Sequence, residues 1–348
     1  MIVRRFTSRY NDHLDVCSEL VAKGANVNRA TMNGTSPWTE ACANGHLDIV
    51  KLFVENGQSI DFTSIDGQTG LIYASNFGKA NVVRFLLSKG ARTDRTNAMG
   101  ISPLNYAAKE GHLEVCKVLV AKGADINQEA KNGFSPWLVA CENGHLDIVK
   151  LFVENGQSID FVNSDGETGL MYTSRKGRAN VVRFLLSKGA RTDRTNAKGV
   201  FSLFFAAREG QLEVCKVLVA KGADVNQESK DGTSPWTEAC ANDQLDIVKL
   251  FVENGQSIDF ANSDGCTGLI YASNFGKANV VRFLLSKGAR TDRTNEYGNS
   301  PLHYAARGEH LEVCKMLVAK GANVNHEAKN GTSPWTEACA NGHLDIVK

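Results

Sequence analysis

Six of the eight histidines, His13, His46, His112, His145, His310 and His343, recur at one place in the chain, each followed by a Leu-Asp or Leu-Glu pair. Imidazoles at a fixed interval could form a ladder of metal ligands. Lys79, Arg178, Gln211, Gln244 and Lys277 take the same place elsewhere and break the row, so packing of a helix turn is the expected role. Glu40, Glu238 and Glu337 stand where other copies carry Tyr73, Tyr106, Tyr172, Phe205, Tyr271 or Tyr304. An acid replacing an aromatic could be a carboxyl of raised pKa. No histidine, cysteine or second acid accompanies it at a catalytic spacing, so a hydrogen-bonded or partly exposed carboxylate is expected. Of nine cysteines, Cys17, Cys116, Cys215 and Cys314 share one place, Cys42, Cys141, Cys240 and Cys339 another, and Cys266 stands alone. Buried reduced thiols are expected at both places, and an odd count without CxxC fits a reducing compartment. Gly78-Lys79 is no phosphate loop, because no glycine lies five residues earlier and Ala80 replaces Ser or Thr. Asn33-Gly34-Thr35 and Asn330-Gly331-Thr332 match a glycosylation sequon but read as turn asparagines. No nucleophile, base and orienting group recur together. The expectation is a non-enzyme with no catalytic residues, cofactor or metal.

What must position these residues is a repeat. ANVVRFLLSKGARTDRTN occurs verbatim at 80–97, 179–196 and 278–295, each 99 residues after the last. Within that block, turn glycines fall every 33 residues, from Gly34 and Gly67 to Gly298 and Gly331. A fixed period of this length marks a solenoid, in which each unit buries its apolar face only against its neighbours. In residues 97–129, Ser102 can cap a helix that opens with Pro103 and runs to about Glu110. Gly111 ends it, and His112 opens a second helix whose Leu113, Val115, Cys116, Val118, Leu119 and Val120 give a broad apolar face up to Gly123. The connection GADINQE then leads to the next NxxG turn.

Ser-Pro-Leu-x-x-Ala-Ala, then Gly-His-Leu-Glu-Val, then Gly-Ala-Asp-Ile-Asn resembles the ankyrin repeat. The resemblance covers essentially the whole chain: a degenerate unit at 1–30, nine complete repeats over 31–327 and a truncated one at 328–348, read as one continuous domain. It implies an all-α solenoid of stacked helix-turn-helix units with projecting hairpin-like connections, used to bind other proteins through a concave face. It also marks the connection asparagines Asn28, Asn127, Asn226 and Asn325 as candidates for hydroxylation, against a plainer role in bonding the backbone. Three departures stand out. Gly70, Gly169 and Gly268 replace the helix-opening proline and should weaken those starts. Phe201-Ser202 replaces Ser-Pro, so the first helix of 196–228 should be the weakest internal one. Asp12, Asp243 and Glu309 replace the glycine between helices, and Glu309 implies strain or a shifted turn beside Gly308.

Net charge is +1 overall, but units carrying SPW hold −3, −2 and −4 and those carrying ANVVRF hold +3, +4 and +3. Acidic units therefore alternate with basic ones, which denies nucleic acid a continuous basic stripe. Asp61, Asp160 and Asp259 precede connections holding Arg92, Arg95, Arg191, Arg194, Arg290 and Arg293, and cross-repeat ion pairs are expected there, against separately solvated charge worth little. The sequence has 42% apolar and 22% charged residues, no apolar stretch of membrane-spanning length and no signal-like N-terminus. A cytoplasmic monomer is expected, the nucleus being the alternative compartment.

Near-identical second helices mark scaffold, so turn tips and first-helix ends are where a partner would be read. Apolar residues in a solvated loop gain nothing from being there. Met32, Ile65, Phe77, Met99, Ile101 and Phe134 fall in four consecutive units and form the expected docking patch, with Val200, Phe275 and Tyr297 as outliers. The leading expectation is a scaffold or adaptor for a protein or peptide. The alternative is a substrate-recruitment subunit of an enzyme complex such as a ubiquitin ligase, suggested by Lys348 ending inside a second helix.

Overall fold

Capping decides where the helices begin. Ser36 accepts a hydrogen bond from the Thr39 amide at 3.3 Å while the Thr39 hydroxyl accepts from the Ser36 amide at 2.7 Å, and Pro37 sits in the first turn. The same reciprocal box recurs at Ser234 and Thr237. The computed structural model describes residues 13–32 and 34–347, so Asn33, in one sequon and one turn tip, and Asp12 lie outside the described residues. Contacts divide the chain into two units, Met1–Ser164 and Asp165–Lys348. The first holds α1 (13–22), α2 (Pro37–Asn44), α3 (Leu47–Glu55), α4 (Gly70–Asn76), α5 (Ala80–Ser88), α6 (Pro103–Glu110), α7 (Leu113–Ala121), α8 (Pro136–Asn143) and α9 (Leu146–Glu154). The second holds α10 (Gly169–Arg175), α11 (Ala179–Ser187), α12 (Ser202–Arg208), α13 (Leu212–Ala220), α14 (Pro235–Ala241) and α15 (Leu245–Glu253). It continues with α16 (Gly268–Asn274), α17 (Ala278–Ser286), α18 (Pro301–Arg307), α19 (Leu311–Ala319), α20 (Pro334–Ala340) and α21 (Leu344–Val347). Within each unit, every first helix packs on its own second helix and on the first helix of the next repeat. This is an all-helical solenoid of stacked pairs.

Two contacts lock one repeat to the next. At the start of four of the described second helices, an imidazole reaches back to the first helix of the preceding repeat. His112 Nε2 lies 3.0 Å from the Asn76 carbonyl and His145 Nε2 2.9 Å from that of Lys109. In the second unit, His310 and His343 do the same to Asn274 at 3.1 Å and Arg307 at 2.9 Å. Gln211 and Gln244 make the same bond through their amides to Arg175 and Arg208, at 3.4 and 3.3 Å. The histidine row is thus a row of ties between repeats, and glutamine substitutes because it offers the same donor. Gly78 and Gly111 beneath the rings meet two demands. Each has a positive φ, 69° and 81°, and a Cβ added there would lie 2.7 Å from the imidazole of His112 or His145. Asp243 and Glu309 adopt the same left-handed conformation at φ 60°, so Glu309 keeps the turn and bears the strain the sequence implied.

The second lock explains the missing proline. A Cβ on Gly70 would stand 2.8 Å from Trp38 Cζ2 and 2.9 Å from Cys42 Sγ, and one on Gly268 would meet Cys240 and Trp236 at 2.8 Å. Trp38 and Trp236 are wholly buried by this approach. The glycines are therefore required for space rather than tolerated as weak starts, and Thr69 and Thr267 still cap their helices. The uncapped α12 survives for a comparable reason. Phe201 supplies no capping bond, at a cost of about 1 kcal/mol, but Phe201, Phe204 and Phe205 are all buried, each contributing about 1.5–3 kcal/mol. Burial outweighs the lost cap.

Cysteines at the two shared places are buried except Cys17, which is half-buried in the first described helix, and Cys339, which is exposed in the last described helix pair. Burial raises the thiol pKa of Cys116 and Cys215 to about 12, so these act as small apolar side chains.

Gly70→Ala should lower the unfolding free energy read from urea denaturation by about 1–3 kcal/mol through overpacking, overriding alanine's better helix propensity. Gly78→Ala should cost more than Gly90→Ala, since both have positive φ but only Gly78 has a neighbour within contact distance. His112→Gln should be nearly neutral and His112→Ala should cost about 1 kcal/mol, read by the same denaturation.

Candidate binding surface

Turn tips are held to one another by backbone bonds. The Ala98 amide donates to Asp66 O at 3.0 Å, and the Lys131 amide donates to Met99 O at 3.0 Å. The second unit repeats this between Lys230 and Lys198 at 3.1 Å, Glu296 and Asp264 at 2.8 Å, and Lys329 and Tyr297 at 2.9 Å. Each tip closes on itself as well, as when the Asn97 amide donates to Ile101 O at 3.1 Å.

On this ladder the apolar residues separate into three kinds. Met32, Ile65 and Met99 are exposed, at 106%, 80% and 56%. Ile101 and Phe134 follow the turn glycine and are half-buried, with the Phe134 carbonyl accepting from Asn105 Nδ2 at 2.9 Å. Phe77 is exposed but caps the C-terminus of α4, the end opposite the tips, about 10 Å away at 1.5 Å per residue. The six residues do not all converge. Among the outliers Val200 is buried, whereas Phe275 and Tyr297 are exposed.

At Asp61 and Asp259 the expected ion pairs are replaced by bonds to a backbone amide. Asp61 Oδ1 accepts from the Arg92 backbone amide at 3.3 Å and Asp259 Oδ1 from the Arg290 amide at 2.9 Å. The guanidiniums turn to Asp94, Asp193 and Asp292 two residues on, at 2.6, 2.8 and 2.8 Å. A fixed peptide donor needs no side-chain ordering, so the aspartate bonds it and leaves the flexible guanidinium to its nearest neighbour. Three charge pairs between repeats join second helices, Arg84 with Glu114 at 3.5 Å, Arg183 with Glu213 at 3.7 Å and Arg282 with Glu312 at 2.6 Å. All are exposed, so each contributes little.

The three glutamates occupy three environments. Glu40 is exposed and accepts from Asn44 Nδ2 at 3.0 Å. Burial raises the pKa of Glu238, opposed by Arg208. Glu337 is held below the ordinary carboxylate range by a two-pronged bond from Arg307, both contacts 2.9 Å. Two of the connection asparagines pair with glutamines of the following repeat rather than with backbone: Asn28 with Gln58 at 2.8 Å and Asn226 with Gln256 at 2.8 Å. Asn28, Asn127 and Asn226 are half-buried and Asn325 is exposed.

Two clusters carried no signal within one unit's pattern. In the second unit the Arg175 guanidinium lies 3.8 Å from the Phe205 ring centre and 5.2 Å from that of Tyr172, and binds Glu167 at 2.6 Å. The replacement of Asn76 and Asn274 by Arg175 at equivalent places could have flagged it. The other is His303, fully buried in α18. Its Nδ1 lies 3.2 Å from the Ser300 amide and 2.9 Å from the Ser300 hydroxyl, and its Nε2 3.2 Å from Thr332 O. Asn105 makes the same bond across repeats without a titratable group. Burial lowers the His303 pKa; His326, stacked edge-on at 5.7 Å, and Arg307 act in the same direction, and Glu337 opposes them.

Stacked helix pairs tied by histidine and glycine define a helical repeat protein whose variable surface lies on tips and first helices. A model of three consecutive ankyrin repeats matches residues 6–64, 56–130, 104–196, 137–229, 203–295, 236–328 and 288–348, and the chain belongs to the ankyrin-repeat family. No curated protein matches the chain. Among the described residues no helix is long and apolar enough to cross a membrane.

A histidine whose folded pKa is depressed takes up its proton more readily when unfolded. Stability should therefore be complete above about pH 7 and fall as pH drops below about 6.5, the ordinary histidine value. His303→Asn should reduce that loss, measured as the difference in urea midpoint between pH 7.5 and pH 5.5; an unchanged difference would show that other groups carry it.

Proposed function

We propose that the chain is a non-catalytic scaffold or adaptor that binds a protein or peptide through the turn tips of its first unit. Membership of a family of protein-interaction modules supports the class. The observation that carries the reading further is that Ile65 and Met99 are solvent-exposed on turns tied to each other by a backbone hydrogen bond, with Met32 exposed on the turn before them. Large apolar side chains on a held backbone lose little further entropy on binding, which favours association. Ile101 and Phe134, half-buried after their turn glycines, are proposed to add to this contact, and Phe77 offers a separate one at the far end of α4. The proposed setting is cytoplasmic and the proposed state monomeric. Asn325 is the proposed first target of an asparaginyl hydroxylase, because its side chain is exposed while the other three are half-buried.

Affinity purification with mass spectrometry should identify a partner of the intact chain. Against that partner, Ile65→Ser with Met99→Ser should weaken binding at least about tenfold, as loss of central apolar anchors does. Because both sites are exposed, stability should change by no more than about 0.5 kcal/mol per substitution. Unchanged affinity in a folded double variant would remove the tip reading.

A further inference from the structure

The first-helix surface contains its own example of a ligand. In the second unit, Arg175 ends α10 and lays its guanidinium over Phe205 of the next repeat at 3.8 Å and over Tyr172 of its own helix at 5.2 Å. Glu167 binds it at 2.6 Å, and Asn196 Nδ2 steadies that carboxylate at 3.3 Å. Burial works against the Glu167 charge, but the bonds from Arg175 and its neighbours hold its pKa below the ordinary value. Both rings are covered, at 4% exposure each.

The equivalent place in the first unit has the floor without the arginine. Tyr73 and Tyr106 stand at the positions of Tyr172 and Phe205, and Asn76 at that of Arg175. Asn97 Nδ2 donates to the Tyr106 hydroxyl at 3.1 Å, so the ring is fixed. Both tyrosines are half-buried, and among the described residues no cation stands over either. Lys109, next on the surface, turns to Glu110 at 3.5 Å. Negative charge lies near the shelf. Asp66 is close enough for its charge, after burial, to raise the Tyr106 pKa, and the exposed Glu40 lies on α2, which packs against α4.

We propose that the Tyr73–Tyr106 shelf binds an arginine side chain of a partner protein, its guanidinium stacked on Tyr106 as Arg175 stacks on Phe205. Arginine fits better than lysine because a planar, weakly hydrated guanidinium lies flat on a ring while an ammonium is a compact, strongly hydrated charge. The third copy does not compete: Tyr271 is followed by Asn274, but the Tyr304 ring it would share already carries Arg307 at 5.5 Å. This assignment rests on the reading of the chain as a protein-binding module and supplies the chemistry of one contact.

The test uses the full chain and three pools of labelled nonapeptides, identical except for a central arginine, lysine or citrulline, read by fluorescence polarisation. The arginine pool should bind about tenfold more tightly than the citrulline pool, with lysine between them. Asn76→Arg, which supplies the guanidinium from within, should abolish the preference. Tyr106→Phe should keep it, since Phe205 serves Arg175, and Tyr106→Leu should lose it. The tyrosine pair decides the matter if Asn76→Arg does not fold. Equal binding of the arginine and citrulline pools by the parent chain, or an undiminished preference in Asn76→Arg or Tyr106→Leu, overturns the shelf. Either result leaves the tips standing, because the Ile65 and Met99 substitutions do not touch these rings.

Discussion

The bond that a histidine or glutamine at the head of a second helix makes to the last carbonyls of the preceding first helix sets the register of the repeats it joins. A helix C-terminus has four carbonyls without intrahelical partners, and leaving one buried and unbonded is costly. His112, His145, His310 and His343 supply that partner from 36 residues away, as do Gln211 and Gln244. Beneath His112, His145 and His310 the ring passes so close over Gly78, Gly111 and Gly276 that a Cβ would meet it, so at those turns glycine follows from the bond as much as from the turn; Glu309, 3.7 Å from His343, is the exception. Donor, carbonyl and glycine are one device spread over two repeats.

A second constraint accounts for a period of 99 rather than 33. Trp38 and Trp236 bury their indoles against glycine in the next repeat, which is possible only if the next repeat opens with Gly and not Pro. Arg307 similarly meets Glu337, whereas the equivalent of that glutamate after Lys109 is Val139. Each repeat is matched to a particular successor, so the block of three is the smallest set of distinct interfaces. Trp335 shows the same dependence from the other side: in the last described helix pair, with no repeat packed on it, it is 52% exposed.

Periodicity, caps and turn glycines were legible because they are local: Ser102, Pro103 and Gly111 say where a helix starts and stops whatever lies beside it. The packing role of the histidines was legible too, since glutamine, lysine and arginine at the same place exclude a metal ladder. What a single unit could not show were contacts reaching about one repeat away. Gly70 looked like a weakened start because its neighbour Trp38 lies 32 residues earlier. Asp61 looked like an ion-pair partner because sequence shows charges and hides the Arg92 amide that it actually bonds. Likewise Ile101 and Phe134 read as exposed tips, although the position after the turn glycine faces partly inward.

The blocks also differ in what they leave open. Second helices are copied almost unchanged because they carry the apolar face and the ties, and a change there would have to be matched in two neighbours. First-helix ends are free of that coupling, so Asn76, Arg175 and Asn274 can differ at one place while the scaffold stays the same. Where the residue is arginine the aromatic surface is consumed within the chain, with Tyr172 and Phe205 buried; where it is asparagine the rings remain half-exposed. The arginine at this place thus covers the rings from within the chain, and where it is absent their cover depends on the residue at the end of the next first helix, Lys109 or Arg307, without disturbing the register that the histidine bonds impose.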